Sequence, residues 1–329
     1  MLCLGIESTA HTLGMGLVDG NATVLANEFA VYSPATGGIH PREAADHHAA
    51  NVGPLLRRTV ETAGVSFDDI DLVAFARGPG LGPCLRVGAT AARTLSLQLK
   101  VPLVGVNHCV AHLEIGRAMG VHDPTLLYVS GGNTQVIAYS SGRYRVMGET
   151  LDIGLGNMLD KFGREVGLDF PCGPKIEELA RSAARKGSDL FDLPYSVKGM
   201  DVSFSGILTA ALHLHEEGGA LEDICFSLQE TCFAMLVEVA ERAMAHRSSQ
   251  ELLLGGGVVA NSRLREMADI MVKDRGGISW VPERKLCADN GAMIAWTGIL
   301  MHNSGTTTPV KESGVDQRFR TDDVEVTWR

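Results

Sequence analysis

Two histidines four residues apart, in Asn107-His108-Cys109-Val110-Ala111-His112, form the pair in this chain best suited to hold a metal ion. On a helix, positions four apart lie about 40° apart around the axis, so both imidazoles share one face and can bind one cation. Zinc proteases use the same histidine spacing but carry glutamate, their general base, directly after the first histidine. Here Cys109 stands in that place, so hydrolysis of that type lacks its base. Two ordinary helix histidines are the alternative reading. Asn107 as N-cap would also set the pair at a helix start, where the dipole disfavours a cation.

Glycine-rich loops supply a second chemistry. In Tyr128-Val129-Ser130-Gly131-Gly132-Asn133-Thr134, two glycines after an apolar strand allow the backbone to approach an anion, and the flanking hydroxyls and amide can donate to it. An ordinary hairpin turn accounts for the same residues. Leu252 to Ser262 runs from a buried strand through Gly255, Gly256 and Gly257 into a helix starting near Asn261. Strand, glycines and helix N-terminus together suit a phosphate, although the spacing fits neither Walker A nor the dinucleotide fingerprint. Asp160 and Glu177 can accept from ligand hydroxyls, or stand as solvated helix charges. Asp289, in Cys287-Ala288-Asp289-Asn290-Gly291, precedes an apolar helix and reads by default as its N-cap.

The elements that must position these residues alternate between strand and helix. Leu2 to Thr9, Leu13 to Val18 and Ala22 to Ala30 read as three strands, with Asp19-Gly20-Asn21 as a hairpin turn. A similar unit recurs about 120 residues later: Thr125 to Thr134, Gln135 to Tyr139, a turn at Ser140-Ser141-Gly142, then Tyr144 to Met147. The repetition suggests a duplicated architecture. Between the copies, a helix is expected from Pro41 toward Leu56, a strand at 71–76, a helix at about 86–99, a strand at 101–106 and a helix bearing His108 and His112. Long helices are expected near 173–186 and 222–246, and 304–314 is the least structured stretch. This alternation indicates an α/β fold with two similar lobes.

Composition narrows the function. The 329 residues carry 29 Lys and Arg against 39 Asp and Glu, a net charge of −10, which argues against strong unassisted binding to a phosphate backbone. There are 38 glycines, where an average chain of this length has about 23, and with 45% hydrophobic residues this excess points to tight turns and close backbone approaches. The seven cysteines contain no C-x-x-C pair, so a zinc ribbon and a thioredoxin-type site are excluded and buried, reduced, cytoplasmic thiols are expected. No apolar run approaches a membrane span. Met1 to Ile6 lacks a preceding basic stretch, so no secretory leader is expected.

Taken in order, these motifs resemble one family over almost the whole chain: Gly5-Ile6-Glu7-Ser8-Thr9-Ala10-His11-Thr12, Gly38-Ile39-His40-Pro41-Arg42-Glu43-Ala44, Gly78-Pro79-Gly80-Leu81, His108 with His112, Tyr128 to Gly132, Gly257 to Asn261, Asp289 to Ala295, and Gln317-Arg318-Phe319-Arg320-Thr321-Asp322. The chain is similar to the catalytic subunits of the archaeal KEOPS complex, in the TsaD/Kae family of tRNA N6-adenosine threonylcarbamoyltransferases. The resemblance implies the actin, hexokinase and Hsp70-type (ASKHA) fold, with lobes at 1–120 and 121–329, the second bearing a helical insertion. It implies transfer of a threonylcarbamoyl group from threonylcarbamoyl-AMP to the exocyclic amine of the adenine next to the anticodon, in tRNAs reading codons that begin with A. It implies one divalent metal ion on His108, His112, Tyr128 and Asp289, iron first, with zinc or magnesium as alternatives.

The resemblance further implies a pocket for ATP or threonylcarbamoyl-AMP lined by Tyr128, Val129, Ser130, Gly131, Gly132, Asp160, Gly173, Glu177 and Asn261. Expected partners are tRNA, bound weakly by this chain alone, and KEOPS subunits including a small Bud-type kinase and a Pcc-type dimerisation subunit. Cys172 departs from the family's usual glycine, and Cys287-Ala288 from its usual Cys-Thr. The competing readings are a metalloprotease acting on glycoproteins, an ATPase or sugar kinase on the same fold, and a nucleotide-binding scaffold.

Overall fold

In the computed structural model, which describes residues 1–34 and 38–329, the chain opens with β1 (Leu2–Glu7), a strand buried along its whole length. It continues as β2 (Thr12–Asp19), β3 (Val24–Val31), α1 (Pro41–Ala63), β4 (Leu72–Gly78), α2 (Gly82–Leu99), β5 (Leu103–Asn107) and α3 (His108–Arg117). The sheet has the order β3-β2-β1-β4-β5, with β1 antiparallel to β2 and parallel to β4. Burial on both faces explains the unbroken apolar run of β1. Leu4 and Ile6 pack with Leu55 and Val60 of α1 and Ala89 and Ala92 of α2. Cys3, on the other face, packs with Ala111 and Ile115 of α3.

Two helices are longer than their sequence signals. α1 starts at Pro41, as expected, but runs past Leu56 to Ala63, because Leu55, Thr59 and Val60 prolong its buried face; Gly64, at φ 67°, stops it. α2 begins at Gly82 rather than near Arg86, with Pro83 in its first turn.

The second sheet is built from β6 (Thr125–Val129), β7 (Thr134–Ser140) and β8 (Arg143–Glu149), then β11 (Glu251–Gly255) and β12 (Ile278–Trp280). Its order, β12-β11-β6-β7-β8, reproduces the first strand for strand: β6, β7 and β8 take the places of β1, β2 and β3, and β11 and β12 those of β4 and β5. The repeated hairpin pattern was therefore a repeated sheet. Where α1 and a short 3-10 turn at Phe67–Asp69 lie between β3 and β4, the second unit inserts α4 (Leu155–Glu165), α5 (Gly173–Lys186), a small hairpin of β9 (Val197–Lys198) and β10 (Asp201–Val202), α6 (Ser205–Glu216) and α7 (Leu221–Arg247). α8 (Ser262–Asp274) joins β11 to β12, and α9 (Arg284–Cys287) and α10 (Gly291–Asn303) follow.

The division of the chain differs from the one expected. One compact unit comprises Met1–Gly120, Ser140–Arg145 and Pro282–Arg329; the other comprises Val121–Tyr139 and Val146–Val281. Residues 282–329 thus fold with the first lobe, not the second. The reason is α10: Ala292, Met293, Ile294, Ala295 and Ile299 complete the core around Cys3, Val18 and Ala74. All seven cysteines are buried, and none forms a disulfide. Among the described residues, no helix is long and apolar enough to cross a membrane.

Candidate metal centre and glycine-rich loops

Asn107 ends β5 and caps α3, accepting from the backbone N–H groups of Cys109 (3.0 Å) and Val110 (3.2 Å). Its amide also donates to the carbonyl of Phe319 at 3.0 Å. That cap makes His108 the first residue of a helix buried from His108 to Gly116, with His112 one turn further on. The two rings meet edge-on, with centroids 4.8 Å apart and planes at 82°.

Asp289 reaches the same point from the loop before α10. It is not the N-cap that its position suggested. Asn290 is, accepting from Met293 N at 3.0 Å and donating to the Ala288 carbonyl at 2.8 Å. Relieved of capping, Asp289 directs Oδ1 to 3.3 Å from His108 Nε2 and 3.4 Å from His112 Nε2. Two imidazole nitrogens and one carboxylate oxygen, all within 4.8 Å of one another, form a donor set that suits a transition metal. The donors fit in protonation as well. Burial lowers the His112 pKa, so its ring stays neutral and able to ligate. Burial works against the Asp289 charge, yet the neighbouring His108 and the hydrogen bonds from both rings hold its carboxyl well below the usual range.

Sequence reasoning missed a carboxylate on the far side of His108. Glu7, at the end of β1, is fully buried and accepts from His108 Nδ1 at 2.9 Å. An acid ending an otherwise apolar buried strand was the available signal. Cys109, in the position where a zinc protease has its base, is buried, and burial pushes its thiol pKa up, so it cannot take a proton from water.

The remaining candidates lie in the second unit. Tyr128 is fully buried on β6, paired with Gln135 of β7 and Gly255 of β11, and the Val129 side chain is buried as well. Ser130 to Asn133 form a tight loop: Ser130 N donates to the Asn133 carbonyl at 2.8 Å, and Asn133 N to Ser130 Oγ at 3.1 Å. This loop lies against the first turn of α4, where Gly156 N donates to the Ser130 carbonyl and Asn157 N to that of Gly131. A Cβ on Gly154 would come within 2.4 Å of the Gly131 oxygen, so close helix packing accounts for part of the local glycine content. Gly256, at φ 94°, has a similar role, because a Cβ there would meet the Val129 oxygen at 2.3 Å. Gly173 differs: a Cβ on it would meet nothing within 4 Å.

Three polar candidates already have protein partners. Asn261 caps α8 and donates to Gln229 at 2.8 Å. Glu177 accepts from Ser262 N at 3.0 Å and from Arg181 at 2.7 Å. Asp160 accepts from Cys172 N at 2.9 Å. Glu177 is therefore brought to the start of α8 beside Asn261, and Asp160 to the start of α5 beside Gly173.

The family model described as TsaD, tRNA N6-adenosine threonylcarbamoyltransferase, matches residues 23–296. The chain is 57% identical, over the full length of both proteins, to a "tRNA N6-adenosine threonylcarbamoyltransferase" of Thermococcus kodakarensis. It is 55% identical to a "Probable bifunctional tRNA threonylcarbamoyladenosine biosynthesis protein" of Methanobrevibacter smithii, covering all of this chain and 60% of that one. Among solved structures, HypF of T. kodakarensis superposes with a TM-score of 0.64 at 14% identity, covering 92% of this chain and 47% of HypF. That likeness concerns the fold alone, which is of the ASKHA type.

Proposed function

Because the chain belongs to the TsaD family of tRNA N6-adenosine threonylcarbamoyltransferases, we propose that it performs its transfer with one divalent metal ion held by His108, His112 and Asp289. The reaction moves a threonylcarbamoyl group to the exocyclic amine of the adenine next to the anticodon, in tRNAs reading codons that begin with A. With threonylcarbamoyl-AMP as donor, the amine nitrogen bonds to the carbamoyl carbon, the carbon–oxygen bond to phosphate breaks, and AMP leaves as the amine loses a proton. A mixed anhydride with so good a leaving group needs no protein nucleophile.

The observation supporting the metal is the convergence of two Nε2 atoms on one Asp289 oxygen. When bound, such an ion supplies positive charge to the carbamoyl oxygen or the phosphate. The protein's part is to orient the donor against the amine and to keep hydrogen-bond donors around the phosphate. In this reading Tyr128 is a further metal ligand. Tyr128, Val129, Ser130, Gly131, Gly132, Asp160, Gly173, Glu177 and Asn261 line the nucleotide pocket, which takes ATP or threonylcarbamoyl-AMP. The open space at Gly173 supports that assignment. Two imidazoles and a carboxylate suit iron or zinc better than magnesium, and the family resemblance puts iron first.

tRNA is the macromolecular substrate. The charge of −10 supports weak binding by this chain alone, with KEOPS partners, among them a Bud-type kinase and a Pcc-type subunit, supplying the rest. Seven buried cysteines outside any disulfide support a cytoplasmic setting.

The test is incorporation of labelled threonine into unmodified tRNA with bicarbonate, ATP, the donor-making enzyme and the partner subunits. Incorporation should require this chain, and His108→Ala should lose both bound metal and transfer. Full transfer by His108→Ala, with metal still bound, would overturn the metal assignment. Proteolysis and sugar-dependent ATP consumption are the outcomes that would favour the rival enzymes.

A further inference from the structure

The turn after β1 is held from several directions. Glu7 Oε1 accepts from Thr9 N at 2.6 Å and from Thr9 Oγ1 at 2.5 Å, which leaves Oε2 for His108 Nδ1 at 2.9 Å. The loop between β4 and α2 closes over the same turn, with Leu81 N donating to the Thr9 carbonyl at 2.7 Å. A Cβ on Gly80 would lie 2.6 Å from that carbonyl oxygen, and one on Gly88 2.1 Å from Ser8 Oγ. Two motifs with no other assigned role, Glu7-Ser8-Thr9 and Gly78-Pro79-Gly80-Leu81, are thus parts of one clamp.

We infer that Glu7 is a positioning residue for His108, fixing the ring so that Nε2 faces the metal. A carboxylate is only an acceptor, so the nitrogen facing it must carry the proton. With a proton kept on Nδ1 by Glu7, Nε2, 3.3 Å from Asp289 Oδ1, is the nitrogen that would give up its proton and offer its lone pair when an ion binds. A carboxylate behind a ligating histidine also raises the ring's basicity, and its loss typically costs 10–100-fold in metal affinity. Glu7 is fully buried, so no water can take its place at Nδ1 without rearrangement. The inference rests on the metal reading proposed above, so its test must separate the two.

The experiment titrates the full chain with Co²⁺, following visible absorption and competition with a chromophoric chelator. Wild type, His108→Ala, Glu7→Gln and Thr9→Val are compared, each with its apo-protein melting temperature. Wild type should bind one ion and His108→Ala none. Glu7→Gln, which keeps the shape and removes the charge, should bind 10–100-fold more weakly and with a shifted d–d spectrum. Thr9→Val, which removes one hydrogen bond from Glu7, should fall between and serves if Glu7→Gln does not fold. Wild-type affinity and spectrum in Glu7→Gln, or in Thr9→Val where only that variant folds, would overturn the role of Glu7. Absence of Co²⁺ binding by wild type, or unchanged binding by His108→Ala, would overturn the metal reading itself.

Discussion

Gly16 of β2 and Gly291 of α10 touch backbone to backbone: a Cβ added to Gly291 would lie 2.2 Å from the Gly16 nitrogen. The same helix crosses Gly5 of β1, where an added Cβ would lie 2.3 Å from the Ala295 nitrogen. Glycine at these places lets α10 rest directly on the sheet. That seating sets the position of Asp289, two residues before the helix, relative to the histidines on α3.

Gly291→Ala should therefore be costly. Overpacking usually costs about 1–3 kcal/mol, and a clash with rigid backbone belongs at the top of that range. At roughly 2–4 °C per kcal/mol, the melting temperature should fall by about 6–12 °C and metal content should fall with it. Gly206→Ala, where a Cβ meets nothing within 4 Å, is the control and should leave both within error or slightly raised. Thermal melts and metal analysis of the two variants decide the matter.

Helix α3, which carries the two histidines, is also tied down from its other end. Glu114, two residues after His112, is fully buried and accepts from Trp328 Nε1 at 2.7 Å, from Arg117 at 2.8 Å and from the Tyr144 hydroxyl. Glu114→Ala would strand a cation and two donors, a loss of about 3–5 kcal/mol. Trp328→Phe removes one charge-assisted bond, worth about 1.5–3 kcal/mol. Urea unfolding should rank Glu114→Ala below Trp328→Phe below wild type. Equal stability of all three would show that the network contributes nothing.

His48 should make stability depend on pH. Burial pushes its imidazole down from 6.5 to about 4; the Ala10 carbonyl, which accepts from Nε2 at 3.0 Å, and Glu7 oppose the shift, and His47 and His11 add to it. Between those values the unfolded chain binds the proton and the folded chain does not. Stability from this group is thus complete above pH 6.5 and is lost as pH falls toward 4, by about 3 kcal/mol. His48→Gln, whose amide can still donate to Ala10, should flatten the apo-protein's stability profile across that window. A profile identical to wild type would sink the assignment.

Much of this molecule is legible locally. The start of α1 at Pro41, the cap at Asn107 and the placing of His108 and His112 on one buried face depend on residues within a turn or two, and the sequence carries them. The doubled hairpin likewise announced two sheets of one topology, because strand periodicity and turn residues are short-range. Several nearby contests were not legible, since their outcome depends on which side chain reaches which group. Asn290 rather than Asp289 caps α10, and Glu177 accepts from Ser262 at the start of α8.

By itself, then, the sequence determined the alternating elements, the histidine pair and the family they belong to. Only the tertiary structure decided that residues 282–329 return to the first unit, bringing Asp289 to residues some 180 positions earlier. It also decided that Glu7 stands behind His108 across 101 positions. Such contacts are set by close packing of helix on sheet, where the presence or absence of a Cβ at Gly5, Gly16 or Gly291 fixes how near two distant segments can come.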